Sequence, residues 1–458
     1  MKRVFAGPWA WFIGLTGCLA VGALGAWALW PQSQSAAGSD SAVPGETTAR
    51  TAEILRAIPR PKGKATVDRA IVSRAERVRR KPGSADGWAE LGEALMQKAR
   101  DTADSSYYGH AAKAFGRALA LSPRHGAATT GMAWVHSCRH EFEKSIDWAN
   151  KAIAQDPRDY AAYGLLGDAA VEMGDYEAAF EHYQQMLDLH PDLSSYSRGA
   201  HLLYLRGDVR KAAWLMGKAI AAGAPYAENT AWCRAQLALM HFSTGHLLAA
   251  EQLVQEGLGK TPNNYHLLVA SAKVKTARQD YPAAIASLKK AVAIAPHHEA
   301  LVALGDLYRL TGNRAEAGKQ YDLVEAIHRI NKANGVRGDS QLAQFYADHD
   351  RNLGQALKMV EEEYKTRKNV FVADILAWCY YKNGRYKEAL RFSSKALNQR
   401  TPDALLLFHA GMIHAKRGER RLAQQYLNQA LALNPYFSPL YAPVAVDTLN
   451  ELGARPPR

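Results

Sequence analysis

One short segment carries the side chains best suited to chemistry, and it reads His136-Ser137-Cys138-Arg139-His140. Two imidazoles four residues apart lie one turn from each other on a helix, which is the spacing of a helical metal site. The glutamate of an HExxH zinc site is missing, and at ~100° per residue Cys138 points about 200° away from the imidazoles. The pattern therefore favours histidines that line a helix over a metal site.

Other signals of catalysis are equally sparse. The four cysteines, Cys18, Cys138, Cys233 and Cys379, are far apart, and no CxxC or CxxCH pair indicates a redox centre, a zinc ribbon or covalent haem. The sequence also lacks a phosphate-binding GxxxxGK loop and a GxSxG nucleophile motif. We predict that the three cysteines beyond the N-terminal apolar segment are buried small hydrophobes. We expect no catalytic residue, no cofactor and no metal.

Helical periodicity organises most of the chain, and the stretch from Tyr160 to Pro191 shows it clearly. Apolar and small residues recur at helical spacing on both sides of Gly174 and Asp175. Gly174 favours a helix end because glycine alone adopts a left-handed backbone without penalty, and Asp175 is a good N-cap for a second helix. Gly167 and Ala179 are small enough for the two helices to approach closely. The stretch therefore predicts a helical hairpin.

The same hairpin recurs at a period near 34 residues. Glycines between the helices and prolines after them keep this spacing. A small residue marks the middle of each second helix, at Ala179, Ala213, Ala250, Ala284, Ala317, Ala356, Ala389 and Ala423. The pattern resembles the tetratricopeptide repeat family over residues 85–435. This resemblance implies an all-α fold, a right-handed α-solenoid of about ten tetratricopeptide-like helical hairpins, here preceded by one transmembrane helix.

Interruptions of the repeat divide the chain into units. Residues 31–64 are rich in Ser, Ala, Gly and Pro and show no helical periodicity. At residues 325–339 polar residues stand where the repeat pattern expects a proline. In order, the predicted units are an N-terminal anchor (1–30), a flexible linker (31–64), a first solenoid stack (65–324), an irregular connection (325–339), a second stack (340–435) and a C-terminal cap or tail (436–458).

Residues 9–30 contain no charged side chain, and at ~1.5 Å per residue they span about 30 Å of bilayer hydrocarbon. We predict a single-pass membrane protein with its repeats on the periplasmic or extracytoplasmic side, because Lys2 and Arg3 precede the segment. Two alternatives stay open. One is a cleaved secretory signal, and the other is a lipoprotein signal, since residues 15–18 (Leu-Thr-Gly-Cys) resemble the bacterial lipobox around Cys18.

Residues 50–81 hold eleven lysines and arginines and three acidic residues, so +8 of the net charge of +13 lies there. Residues 65–80 predict a basic helix, which we interpret as a cap on the first repeat. The alternative is an electrostatic contact of residues 50–81 with anionic lipid headgroups. Because the excess charge lies mostly outside the repeats, we expect no nucleic acid partner.

The resemblance also implies where a partner binds, since the first helices of stacked hairpins line a concave groove. The lysine and asparagine set with which some family members clamp a C-terminal carboxylate is not reproduced, because Ala89, Glu93 and Gly131 stand in those places. We expect an extended or helical segment of a protein partner, unless the aromatics pack between neighbouring repeats. The predicted groove residues are Trp134, Arg198, Trp232, Phe242, Lys273, Trp378, Tyr381 and Phe408.

These patterns favour a non-enzymatic, membrane-anchored scaffold. It would assemble an envelope, secretion, polysaccharide-export or cytochrome-maturation machine. The alternative is a membrane-associated periplasmic chaperone or translocon accessory that holds exported polypeptides. One fold serves many partners, so the repeat pattern does not separate the two.

Overall fold

The structure is a computed structural model that describes residues 44–61, 63, 65–224 and 226–454. Over these residues the chain forms 23 α-helices and no β-strand, which confirms the predicted all-α solenoid. In chain order they are α1 (Pro44–Ala57), α2 (Thr66–Arg80), α3 (Ala85–Thr102), α4 (Ser106–Leu121), α5 (Gly126–Cys138), α6 (Phe142–Gln155), α7 (Tyr160–Met173), α8 (Tyr176–Leu189), α9 (Leu193–Leu205), α10 (Val209–Ala222), α11 (Ala227–Ser243), α12 (Leu247–Lys260), α13 (Tyr265–Ala277), α14 (Tyr281–Ile294), α15 (His298–Leu310), α16 (Arg314–Ala333), α17 (Asp339–Asp348), α18 (Leu353–Glu363), α19 (Val370–Lys382), α20 (Tyr386–Ala396), α21 (Ala404–Lys416), α22 (Arg420–Leu433) and α23 (Tyr441–Glu451).

Helices α3 to α22 pair as ten consecutive hairpins, each packed on the next. The hairpin α7–α8 shows how local sequence builds them. Gly174 ends α7 with a φ of 81°, and the Asp175 side chain caps α8 by accepting the Ala178 N–H at 3.0 Å. A Cβ atom on Gly167 would lie 2.3 Å from the Tyr183 ring. Glycine is therefore required where the two helices approach each other.

The predicted flexible linker at 31–64 contains a helix. Residues 44–57 form α1, and Ile54, Leu55 and Ile58 pack into the hydrophobic cluster under the first hairpin. Their spacing gives this segment one apolar side, which the composition of the whole range had masked. The next helix, α2, packs Val67 and Ile71 into the same cluster, in the position expected of an N-terminal cap.

The irregular connection predicted at 325–339 is also largely helical. The second helix of the seventh hairpin, α16, runs unbroken for 20 residues to Ala333. One hydrophobic cluster continues from Leu301 through Val324 and Leu342 to Leu449. The two predicted stacks therefore share one core across this junction.

The solenoid turns back on itself, so that the turns within the early hairpins touch the connections between the late ones. We call this line of contact the seam. Residues paired across it are 192 to 198 positions apart, which is about six repeats. Four carbonyls at the C-terminal ends of first helices accept its hydrogen bonds: Arg139 from the Arg337 N–H (3.1 Å), Glu172 from the Lys368 N–H (2.9 Å), Leu205 from the Thr401 hydroxyl (2.6 Å) and Phe242 from the Asn434 side-chain amide (3.0 Å).

The seam thus supplies donors to carbonyls at helix ends, where intrahelical partners run out, although the Phe242 carbonyl also accepts the Gly245 N–H at 3.0 Å. A buried ion pair strengthens the seam, because Arg367 donates to the Glu172 carboxylate at 2.8 Å. The Asn369 side chain donates to the same carboxylate oxygen at 2.7 Å. Apolar contact adds to the polar one, since Val171 and Val370 belong to a single hydrophobic cluster.

Among the residues that the structure describes, no helix is both long and apolar enough to cross a lipid bilayer. The predicted localisation as a single-pass membrane protein is corrected on this finding. Residues 9–30, on which that prediction rested, lie outside the described residues, as does Cys18.

The seam can be tested with two glycines in equivalent turns. A Cβ on Gly207 (φ 82°) would lie 2.8 Å from the Arg400 carbonyl oxygen across the seam, whereas one on Gly384 (φ 74°) would meet no atom within 4 Å. Both alanine variants place an L residue in a left-handed conformation, at about 1–2 kcal/mol. We expect Gly207→Ala to lower the free energy of unfolding by at least about 1 kcal/mol more than Gly384→Ala, because overpacking adds its own cost. Urea denaturation measures the free energy of unfolding of each variant. Equal losses of stability in the two variants would contradict the contact across the seam.

Candidate protein-binding site

The inner face of the solenoid holds a half-open cavity of about 270 Å³. Its walls come from the first helices α11, α13, α15 and α17, which belong to consecutive hairpins, and from residues 434–441, which follow α22. Glu299, Val302, Ala303 and Asp306 line it together because residues three, four and seven apart share one face of α15. The repeat thus places successive helices side by side, and each contributes a strip of wall.

Charged groups on this wall are held in pairs. The Lys273 ammonium lies 3.0 Å from the Glu299 carboxylate. The Asp306 carboxylate contacts the His349 ring nitrogen Nε2 at 2.7 Å and accepts the Tyr321 hydroxyl at 2.7 Å. The wall is therefore ordered by ion pairing and hydrogen bonding as well as by packing.

Asp348 connects the wall to the C-terminal part of the chain. Its Oδ1 accepts the Trp378 indole N–H at 2.9 Å and the Tyr441 hydroxyl at 2.9 Å. The Tyr441 ring stacks on Phe408 with centroids 4.9 Å apart, and Phe437 lies 5.7 Å from Phe408. These contacts hold residues 434–441 across one side of the cavity.

Burial shapes the charge of the cavity wall. It lowers the pKa of His298 to about 3, so this imidazole is neutral at pH 7. It raises the pKa of Asp348, with the nearby Asp306 carboxylate acting in the same direction. Burial acts to raise the pKa of Glu299, but the Lys273 ammonium, which is charged and hydrogen-bonded to it, together with His297 and His266 lowers this pKa below its usual value. Acidic and neutral groups therefore dominate the wall.

A second contact crosses the inner face nearer the N-terminus. Arg100 of α3 lies 3.3 Å from the Glu228 carboxylate of α11, and the Gln97 side chain donates to the same oxygen at 3.3 Å. Residues 128 positions apart therefore meet directly. This contact joins α3 to α11, and residues 434–441 line the cavity at the C-terminal side.

Two of the eight predicted groove residues, Phe242 and Lys273, line the cavity. Trp378 and Phe408 are 2% and 0% exposed, and they support the wall through Asp348 and Tyr441. Tyr381 stacks on Trp378 with ring centroids 4.6 Å apart.

The other three lie outside the cavity. Trp134 is 2% exposed, Arg198 forms a buried ion pair with Asp168 at 2.9 Å, and Trp232 packs half-buried against a neighbouring hydrophobic cluster. A role of these eight residues in partner binding stays a prediction.

Sequence reasoning missed Asp348 and Tyr441 as site residues. Glu299 and Asp306 carried a usable signal, since their seven-residue spacing puts them on one face of α15. Asp348 carried the same signal, since it lies seven residues after Gln341 on the cavity face of α17, but the contacts that orient it come from Trp378 and Tyr441, 30 and 93 positions further along the chain.

The His136 segment is divided between two elements. Helix α5 ends at Cys138, and His140 lies beyond it with a φ of 57°, its ring stacked on Phe142. His136 pairs instead with Glu141 at 2.8 Å. Over the described residues no group of three His, Cys, Asp or Glu side chains is placed to hold a metal ion.

The three cysteines within the repeats, Cys138, Cys233 and Cys379, are buried free thiols, which confirms their prediction as small core residues. Burial raises the pKa of Cys138 to about 12. The thiolate form is therefore scarce at neutral pH.

Family models described as tetratricopeptide repeat match residues 139–194, 269–329 and 404–437. The chain contains tetratricopeptide repeats. A curated relative, the small glutamine-rich tetratricopeptide repeat-containing protein 2 of Mycosarcoma maydis, is 29% identical over 107 residues. That match covers 23% of this chain and spans 30% of the relative's length.

Solved structures similar to the chain are distant in sequence. A tetratricopeptide repeat protein from Parabacteroides merdae is 16% identical with a TM-score of 0.32, covering 57% of this chain and 98% of that one. Human IFIT1, solved as a dimer with PPP-AAAA, is 15% identical with a TM-score of 0.35, covering 76% and 73%. The APC/C hetero-tetramer Cut9-Hcn1 is 13% identical with a TM-score of 0.40, covering 84% and 90%. At these scores, none of the likenesses carries an argument about function.

The neutral His298 makes stability depend on pH. Its folded-state pKa of about 3 lies below the unfolded value of ~6.5, so below pH 6.5 the unfolded chain binds a proton that the folded chain excludes. Stability should therefore fall as pH falls, by up to about 1.4 kcal/mol per pH unit from this group. We expect His298→Gln to show a smaller decline in unfolding free energy between pH 7 and pH 5, measured by urea denaturation. Identical declines in the two proteins would contradict the assignment.

Proposed function

We propose that this protein is a non-enzymatic interaction scaffold that binds a segment of a protein partner on its inner face. The cavity of about 270 Å³ is the observation that carries the proposal. It lies where first helices of consecutive hairpins converge, and it combines apolar wall residues with a few fixed polar groups. Concave sites with that composition bind ligands and peptide anchors.

The arrangement of the wall supports binding rather than catalysis. Glu299 is engaged by Lys273, and Asp306 by His349 and Tyr321. A general base needs a pKa near the working pH and access to a nucleophile, and the neutral His298 is far from that condition. These groups are better suited to positioning a partner than to transferring protons.

The limits of the inner face define the size of the bound element. The Arg100–Glu228 contact joins α3 to α11 on one side, and residues 434–441 line the cavity on the other. The cavity of about 270 Å³ has room for a side chain and not for a folded domain. A short extended segment or the side chains along one helix face do fit, and either would use the cavity as a pocket for its anchoring side chain.

Filling the cavity tests this proposal. Ala303 lines the cavity on α15, whereas Ala286 is exposed on the neighbouring α14. We expect Ala303→Phe to reduce partner recovery at least tenfold in affinity purification from native extract, because lost anchoring of about 1.4 kcal/mol already changes affinity tenfold. Ala286→Phe, the same substitution on the outer side, should leave recovery unchanged.

The recovered protein should be one stoichiometric partner whose crosslinks, read by mass spectrometry, map to α13, α15 and α17. Full recovery by a folded Ala303→Phe variant would contradict the inner-face site. A spread of substoichiometric clients in place of one partner would contradict the scaffold function.

A further inference from the structure

The cavity wall is acidic, although the chain carries a net charge of +13. Its ionisable lining consists of the carboxyl groups of Glu299, Asp306 and Asp348, the Lys273 ammonium and the His298 imidazole. Lys273 is already paired with Glu299. The imidazole adds no positive charge at neutral pH. Asp306 contacts the His349 ring nitrogen Nε2 at 2.7 Å, and neither Asp306 nor Asp348 has a lysine or arginine ion pair among the described residues.

The geometry of these two groups leaves a specific place for a ligand. The Trp378 and Tyr441 side chains both donate to Oδ1 of Asp348. The Tyr321 hydroxyl and the His349 ring both contact Oδ1 of Asp306. The second oxygen, Oδ2, of each has no hydrogen-bond partner among the described residues, and neither is among the fully buried atoms. Each carboxyl group is thus fixed in orientation by its Oδ1 while its Oδ2 stays open to a donor.

Aromatic rings complete the wall around these oxygens. Phe242, Phe345, Phe437 and Tyr441 all line the cavity. Ring faces attract cations, and a planar guanidinium also stacks on them. One such contact already exists at the cavity wall. The Arg351 guanidinium lies 5.7 Å from the centre of the Phe345 ring, although Arg351 does not line the cavity.

We propose that the cavity is a pocket for a basic side chain of the partner, arginine before lysine, with its cation at the open oxygens of Asp306 and Asp348. This inference rests on the proposed function, because it assumes that the inner face is the binding surface. Arginine fits best because its rigid fork of N–H donors can reach two acceptors while its plane contacts the rings. An anionic group would meet two carboxyl groups that no lysine or arginine offsets among the described residues, and it is disfavoured.

Amino-acid amides that carry the proposed side chain test the pocket without the partner protein. Nα-acetyl-L-arginine amide carries the guanidinium, and Nα-acetyl-L-citrulline amide has nearly the same shape without the charge. With the 458-residue chain, we expect saturation-transfer NMR and calorimetry to show binding of the arginine probe, at least tenfold weaker binding of the citrulline probe, and intermediate affinity for Nα-acetyl-L-lysine amide.

A matched pair of variants places the site. Asp348→Asn keeps an Oδ1 that accepts from Trp378 and Tyr441 but removes the charge, so the wall should stay folded while arginine-probe affinity falls at least tenfold. Asp350→Asn removes an exposed carboxylate two residues away and should leave affinity unchanged.

Equal binding of the arginine and citrulline probes, equal effects of the two variants, or no binding of the arginine probe would each overturn the inference. The proposed function would survive these results if Ala303→Phe still abolished partner recovery, and it would fail separately if that variant recovered the partner normally.

Discussion

The close contact between a small residue on one helix and a large ring on another determines how this chain stacks. Gly167 faces the Tyr183 ring within one hairpin, and Gly131 faces the Phe115 ring of the preceding hairpin, each so closely that a Cβ atom would lie 2.3 to 2.4 Å from the ring. A single hairpin cannot bury both its sides, so the next hairpin must cover the other one. Close contacts of this kind set the packing angle between neighbouring helices. Similar angles repeated over ten hairpins give a curved solenoid.

The seam follows from that accumulated turning. After about six repeats the chain meets itself, and carbonyls at the ends of early first helices accept donors from late connections. The buried Arg367–Glu172 pair depends on this meeting, because Glu172 alone would be an uncompensated buried charge, whereas Arg367 also pairs with the nearby Glu363. The seam therefore joins segments that a stack of independent repeats would leave apart. It also limits how freely the inner face can open.

The inner face is consequently more enclosed than an open groove. Arg100 reaches Glu228 across it, and Tyr441 reaches Asp348 from the C-terminal side. Enclosure excludes water from part of the wall, which keeps His298 neutral and strengthens the field of the remaining carboxyl groups. A narrow, partly desolvated and acidic space selects an anchoring side chain by charge and shape. It suits a scaffold that recognises a short segment of its partner.

The sequence alone determined the helices, their pairing and the repeat, because caps, glycine turns and apolar periodicity act within some 34 residues. Even there it erred locally: α1 was predicted to be part of a linker, the last turns of α16 from residue 325 were predicted to be irregular, and in α10 the fully buried small residue is Ala212, not Ala213. Only the tertiary structure decided the seam and the cavity. Asp348 is held in its orientation by Trp378 from another hairpin and by Tyr441 from α23, and the buried Glu172 has an ion-pair partner because a distant connection brings Arg367 to it. These long-range contacts depend on the packing angles between hairpins, added up over many repeats. A local sequence pattern does not specify that total rotation.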